Sequence, residues 1–369
     1  VRKQMRWAAA VGAVALLATA CGQAPDEETA TDGGEGATTE ESFLACMVSD
    51  AGGIDDRSFN AAAWKGLQDA QSELGVEAEF VESRADTDYG PNIDALVQKD
   101  CGIIITVGFL MGDATKEAAE GNPEENFAIV DNAPDADPDT PEIEPIDNIK
   151  PLLFDTAQAA YLAGYLAAGM TTTGTVATFG GIPIPPVTIF MDGFVDGVAK
   201  YNEDKGAEVK VLGWDKEAQN GTFTGDFEDQ NKGKQVTNNF IQQGADIVLP
   251  VAGPVGLGAA AAARDAGDVN LIWVDSDGYE TVPDYQDLFI TSVLKRIDSA
   301  TFAATQEAVD GSFTNELYVG TLENEGVGLA PFHDFEDTVP DELKAEVEAL
   351  QAAIISGEIV VESPATPAA

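Results

Sequence analysis

Short apolar runs and helical periodicities take turns along most of the chain. From Phe43 the run FLACMVS reads as a strand, and Phe59, Ala63, Leu67, Ala70 and Leu74 then recur at spacings of 4, 4, 3 and 4, one apolar face of a helix. VEAEFVES, CGIIITVGF and NFAIVDNAP repeat the strand signal, with the helical segments GPNIDALVQKD and GDATKEAAEGN between them. This βαβαβαβ string predicts a parallel sheet covered on both faces. After DTAQAAYLAGYLAAGM, which reads as a helix, the alternation restarts at GTVATFGG and the helical segment IFMDGFVDGVAKYNE. It continues through EVKVLGW, GKQVTNNFIQQG, ADIVLPVAG and GLGAAAAARDAG to NLIWVDSDG. LFITSVLKR followed by the helical IDSATFAATQEAVDG predicts a crossing back to the first half. The fold class is α/β, in two similar halves.

The two ends depart from this pattern. VRKQMR is basic and WAAAVGAVALLATA is an apolar run of signal-peptide length, too short for a membrane span; Cys21 follows it. Small residues before a cysteine suit a lipoprotein signal peptidase, so residues 1–20 are expected to be a signal peptide and Cys21 a lipidated N-terminus. Residues 21–42 are rich in Gly, Thr, Glu and Asp and nearly devoid of large apolar residues, which predicts a flexible tether. Residues 361–369 are expected to form a disordered tail. The protein is expected at the cell membrane, held by the N-terminal lipid alone and facing outward.

A length of 369 residues exceeds one ordinary hydrophobic core, in keeping with two domains. Charge narrows the partners: 65 acidic against 19 basic side chains leave a net −46, a surface that repels phosphate backbones and anionic lipid. Nucleic acid is not an expected partner. Export alters the reading of Cys46 and Cys101, which open or occupy two strand-like runs; a disulfide and two buried thiols both fit the sequence.

In an open parallel sheet, ligands bind beyond the carboxyl ends of the strands. The positions to inspect are therefore Ser49 and Asp50, Gly108 and Phe109, Asp131 and Asn132, Gly180 and Gly181, Ala252 and Gly253, and Asp275 to Asp277. Carboxylates at three of these ends suit a hydroxyl-rich ligand, because each ionised oxygen accepts a hydrogen bond; each acid can equally cap the helix that follows. Lys295 follows an apolar strand in a lysine-poor chain, where it can donate to a ligand oxygen. In GPVGLG the glycines, Gly253 among them, read as close backbone approach to a ligand or to packing.

Enzyme chemistry finds little in the sequence. His333 is the single histidine, with no nucleophile elbow beside it, and no histidine cluster or CxxC offers a metal site. DADPDT, Asp135 to Thr140, starts like a calcium loop but has Thr140 where glycine is needed and Ile146 where a bidentate Glu is needed. No catalytic residue, metal or cofactor is expected.

The lipobox-like cysteine, the polar tether, DAGGIDDRSFN, GAD with AG and GLG, VDSDG and TSVLK occur in an order that resembles the basic membrane protein family. These are substrate-binding lipoproteins of ABC transporters related to purine nucleoside receptors. The resemblance, over about Phe43 to Asp310, implies a type I periplasmic-binding-protein fold with two Rossmann-like lobes and a ligand cleft. The lobes are expected at 43–153 with 292–318, and at 154–291 with 319–360. By matching motifs, Phe59 would be one stacking ring, Asn60 and Asp131 would read the base edge, and Asp275 and Lys295 would hold the ribose. Asp50 and Gly253 join this set from the strand ends. Phe223, Trp214, Phe190 and Phe109 compete for the second ring, with Phe223 carried forward. Where the family has DQ after VDSD this chain has Gly278 and Tyr279, so Asp277 is expected to share the work of Asp275.

The leading expectation is thus a lipid-anchored receptor that closes two lobes on a nucleoside and hands it to a membrane permease with its ATPase. A sugar or polyol receptor of the same fold, and a lipoprotein that senses ligand without transport, are the alternatives.

Overall fold

The computed structural model describes residues 42–137 and 144–367. The expected signal peptide, Cys21 and nearly all of the tether lie outside the described residues, as does the second half of DADPDT.

The first half alternates as its sequence pattern dictates: β1 (Leu44–Ser49), α1 (Phe59–Leu74), β2 (Glu77–Glu82), α2 (Tyr89–Val97), β3 (Ile103–Val107), α3 (Gly112–Gly121), β4 (Phe127–Val130) and β5 (Ile149–Phe154). β3, Ile-Ile-Ile-Thr-Val, is buried along its whole length, as a strand covered on both faces must be. β5 carries Pro151, paired in register with Ile129 although it lacks a donor.

The second half follows: α4 (Thr156–Met170), β6 (Thr175–Gly180), α5 (Pro185–Lys205), β7 (Lys210–Leu212), the short hairpin β8 (Trp214–Asp215) and β9 (Asn220–Gly221), α6 (Gln230–Gln242), β10 (Ile247–Val251), α7 (Val255–Ala266), β11 (Asn270–Asp275), α8 (Gly278–Thr281) and β12 (Phe289–Lys295). The chain then returns to the first half through α9 (Ile297–Val309) and β13 (Tyr318–Gly320), and crosses once more into β14 (Val327–Leu329) and α10 (Asp341–Ile355).

Among the described residues two six-stranded sheets result, in the orders β13-β5-β4-β3-β1-β2 and β14-β12-β11-β10-β6-β7. Within these two sheets all pairs are parallel except β12 with β14. The two orders match strand for strand, so each half is a lobe of the same design. The whole of β12 belongs to the second sheet, which puts the return crossing after Lys295 instead of before Ser292. β13, at 318–320, completes the first sheet.

Cys46 on β1 and Cys101, just ahead of β3, are joined by a disulfide with Cα atoms 5.9 Å apart. The chain end is not loose up to residue 367. Val361 is buried, Ser363 Oγ donates to the buried Asp192 at 2.6 Å, and Lys216 donates to the Glu362 carbonyl. The expected disorder is therefore corrected for residues 361–367: one apolar and one hydroxyl side chain find buried partners on the second lobe. Among the described residues no helix is long and apolar enough to cross a membrane.

Candidate functional site

The carboxyl ends of the two sheets face a common cavity with about 570 Å³ of empty space, open solvent at its mouth included. Asp131 and Asp275 enter it from matching places, the ends of β4 and β11, each third in its sheet. Both take the left-handed backbone, with φ of 69° and 65°. That conformation costs a non-glycine residue energy and turns each carboxyl out of its strand toward the cleft.

An aspartate just ahead of α1 holds the start of the helix that faces the cavity. Asp56 accepts from the backbone N–H of Ser58 (3.0 Å), Asn60 (2.7 Å) and Ala61 (2.9 Å), satisfying donors that the first turn of α1 leaves free. This anchoring presents Phe59 and Asn60 to the cavity. The same segment touches the other lobe: Ser58 Oγ donates to Asp275 Oδ2 at 2.6 Å, Ser276 Oγ donates to the Ser58 carbonyl, and Arg57 donates to the Thr281 carbonyl.

Lys295, 3 % exposed, is the cation at the centre. Its Nζ donates to Asp131 Oδ2 at 2.5 Å and lies 4.9, 5.3 and 5.9 Å from the ring centres of Phe59, Phe154 and Phe190. Burial raises Asp131 and Asp275 above the usual carboxylate range, while Lys295 pulls both back. Asp131 was expected beside Asn60; it groups instead with Lys295 and Asp275.

The place beside Asn60 is taken by Asp50. Asn60 Nδ2 donates to Asp50 Oδ1 at 2.9 Å, and Asn60 Oδ1 is buried with no partner. Part of Asp50 opens on the cleft, yet desolvation by the surrounding lobes pushes it up to about 8, with Asp56 and Asp131 adding to the rise. Desolvation also takes Asp56 up to about 6 against the three amides that lower it.

Rings enter from both lobes: Phe59 and Phe109 from the first, Phe190 and Phe227 from the second. Phe227 lies so close to Gly181 that a Cβ there would stand 2.2 Å from the ring. Gly253 also lines the cavity, but for another reason than close packing. Its φ is +51° and a Cβ would meet no protein atom, so the backbone turn is what calls for glycine.

Phe223, Trp214 and Asp277 do not line the cavity. Phe223 bridges to Gly180 and sets its ring edge-on to Trp214, 5.9 Å between centres, which commits it to packing. Trp214 is committed too, donating to Asp192 at 2.8 Å. Asp277 caps α8, accepting from the Tyr279 N–H at 3.1 Å, and pairs with His333 Nε2 at 2.7 Å. It therefore does not share the work of Asp275. Among the described residues no group of three or more His, Cys, Asp or Glu side chains is placed to hold a metal ion.

The family model described as "ABC transporter substrate-binding protein PnrA-like" matches residues 43–364. The chain belongs to this Bmp family. A family member is a substrate receptor of a transporter and not an enzyme. The ABC transporter nucleoside-binding protein BmpA of Lactococcus lactis is 29% identical over 374 residues, 96% of this chain and 98% of that protein. Basic membrane protein A of Borreliella burgdorferi is 29% identical over 333 residues, 89% of this chain and 91% of that protein. Among solved structures, an ABC transporter solute-binding protein from Aeropyrum pernix superimposes with a TM-score of 0.76 at 26% identity, over 87% of this chain and 94% of that one. The fold is that of the periplasmic solute-binding proteins.

Sequence reading missed Phe227 and the cavity-facing part of Asp56. The signal for the ring was present in GDFEDQNKGK, a polar loop just before a helix with a single aromatic in it, but the sequence does not tell which nearby glycine leaves room for which ring.

Proposed function

We propose that this receptor binds a nucleoside, of purine type, between its lobes and presents it to the permease and ATPase of an importer. The observation that carries the reading is the pairing of aromatic rings from opposite lobes with a separate carboxylate-lysine cluster in one cavity. Phe59 and Phe227 would hold the two faces of a flat base, Asn60 and Asp50 its edge, and Asp131, Asp275 and Lys295 the ribose hydroxyls. Carboxylates with one shared lysine suit vicinal hydroxyls, which donate to the acids and accept from the ammonium. A free sugar would use this cluster but leave the unpartnered Asn60 Oδ1 and a second ring without purpose, which is why the nucleoside is preferred. Enclosure between lobes makes such groups selective, since a ligand lacking the donors leaves buried acceptors unpaired.

Lipidation at Cys21 would hold the receptor on the outer face of the membrane, and relatives from Pyrococcus carry the name lipoprotein. Mass spectrometry of the membrane-extracted protein tests the anchor: a diacylglyceryl adduct on Cys21 is expected, and a free thiol there excludes it. For the ligand, calorimetry with adenosine, guanosine and ribose is decisive; heat with ribose alone would leave a sugar receptor.

A further inference from the structure

At the base end of the cavity two side chains stand together, and one of them has two chemical forms. Asn60 is 1 % exposed, gives its Nδ2 to Asp50 Oδ1 at 2.9 Å, and keeps Oδ1 as an unfilled acceptor. The second carboxyl oxygen of Asp50 lies beside Gly108, 2.5 Å from where a Cβ would stand, so glycine at that position leaves the space the carboxyl fills. We infer that Asp50 selects the base by its protonation: as a neutral acid it favours a 6-aminopurine, and as a carboxylate a 2-amino-6-oxopurine. The inference rests on the nucleoside reading of the cavity.

The chemistry follows from donor and acceptor patterns. With a proton on Asp50 the pair offers one acceptor, Asn60 Oδ1, and one donor, the acid O–H. An adenine edge answers with an exocyclic N–H and a ring nitrogen that accepts. Without the proton the pair offers two acceptors, which a guanine edge answers with its ring N–H and its exocyclic N–H. A mismatch in either state leaves a buried polar group unpaired, which is heavily penalised.

The surroundings keep both forms of Asp50 within reach near neutral pH. Asp56 from the segment before α1, Asp131 from the end of β4 and Glu228 from the segment before α6 all oppose its ionisation, and burial opposes it most. The carboxyl is pushed up to about 8 as a result. Tyr89 on α2 is the other titratable neighbour, and its coupling to Asp50 raises the phenol further. Lys295, the one cation lining the cavity among the described residues, is engaged by Asp131 at 2.5 Å.

The test is calorimetry of the whole protein with adenosine and with guanosine at several pH values between about 6 and about 8.5. Taking the ratio of the two association constants cancels any titration that both complexes share, such as that of Asp56. Since one ligand needs the proton and the other its absence, the adenosine-to-guanosine ratio is expected to fall about tenfold per pH unit. Asp50→Asn, which fixes a neutral donor in the same shape, is expected to favour adenosine with a ratio independent of pH. Binding of both nucleosides with a constant ratio in the wild type, or an unchanged pH slope in the folded Asp50→Asn variant, overturns the inference and leaves the nucleoside reading intact. Absence of heat with either nucleoside at every pH overturns both.

Discussion

Lys295 closes β12 of the second sheet and Asp131 follows β4 of the first, yet the ammonium of one lies 2.5 Å from the carboxylate of the other. The pair therefore joins the lobes across the cavity. Its value is positional more than stabilising, because both charges gave up water to meet. Lys295→Met leaves Asp131 and Asp275 buried without a cation and is expected to cost about 3–5 kcal/mol in urea unfolding. The double variant Lys295→Met/Asp131→Asn should recover much of that loss. A single variant as stable as the wild type would contradict the pairing.

The buried acids set how stability varies with pH. Asp50 and Asp56 rise from 3.8 to about 8 and about 6 in the folded protein. The folded state then holds protons that the unfolded chain has released, so stability falls as pH rises, from about pH 4 until pH passes about 8. Ligand-free protein is expected to melt several degrees higher near pH 5 than near pH 8.5. In Asp50→Asn the part of that slope above about pH 6 should flatten. A Tm that climbs over this range would contradict the assignment.

Asp56 makes the first turn of α1. Asp56→Ala removes the acceptor of three backbone amides and is expected to cost about 1–2 kcal/mol of stability. Because Phe59 and Asn60 stand in that turn, affinity for a nucleoside should fall by roughly tenfold or more. Asp56→Asn keeps one oxygen and should lie between the two. Unchanged amide exchange across residues 58–61 in Asp56→Ala would show that the cap is not needed.

Gly181 is expected to tolerate no methyl group. In Gly181→Ala the new carbon would stand 2.2 Å from the Phe227 ring, so the ring must leave its place. Nucleoside affinity should drop by about one to three kcal/mol, the worth of one stacked ring, with ribose affinity unaltered. An equal loss for both ligands would mean that Phe227 does not face a base.

The Cys46–Cys101 bond spans 55 residues, including α1, β2 and α2. A loop of that length corresponds to about 4 kcal/mol of chain entropy removed from the unfolded state. Cys46→Ala/Cys101→Ala is expected to lower stability by about that much at most and to leave ligand affinity near the wild-type value, since neither cysteine lines the cavity. Equal stability of the two proteins in urea would contradict it.

Strand and helix alternation was legible because periods of two and 3.6 residues differ along every buried face. The strand β5 was not, since Pro151 removes a ladder donor and argues against a strand at IKPLLF. Strand ends pointed to Asp50, Asp131, Asp275 and Lys295, which do meet, because the ends of parallel strands are the place where two such sheets face each other. Which acid pairs with which partner was hidden. Asp131 goes to Lys295 and Asp50 to Asn60 through the relative placement of two lobes, which no local pattern encodes. Phe223 and Phe227 lie four residues apart in one loop, and only the tight seat beside Gly181 separates the packing ring from the cavity ring. Asp277 looked like a ligand group and is a helix cap bound to His333.

The central claim, a cavity built for a base and its ribose together, is tested most directly by titration calorimetry of the wild-type protein with adenosine, guanosine and free ribose. A purine nucleoside is expected to bind with one-to-one stoichiometry and at least about a hundredfold more tightly than ribose, the difference carried by the rings and the Asn60–Asp50 edge. Equal affinity for ribose and nucleoside, or no heat with any nucleoside, would contradict it.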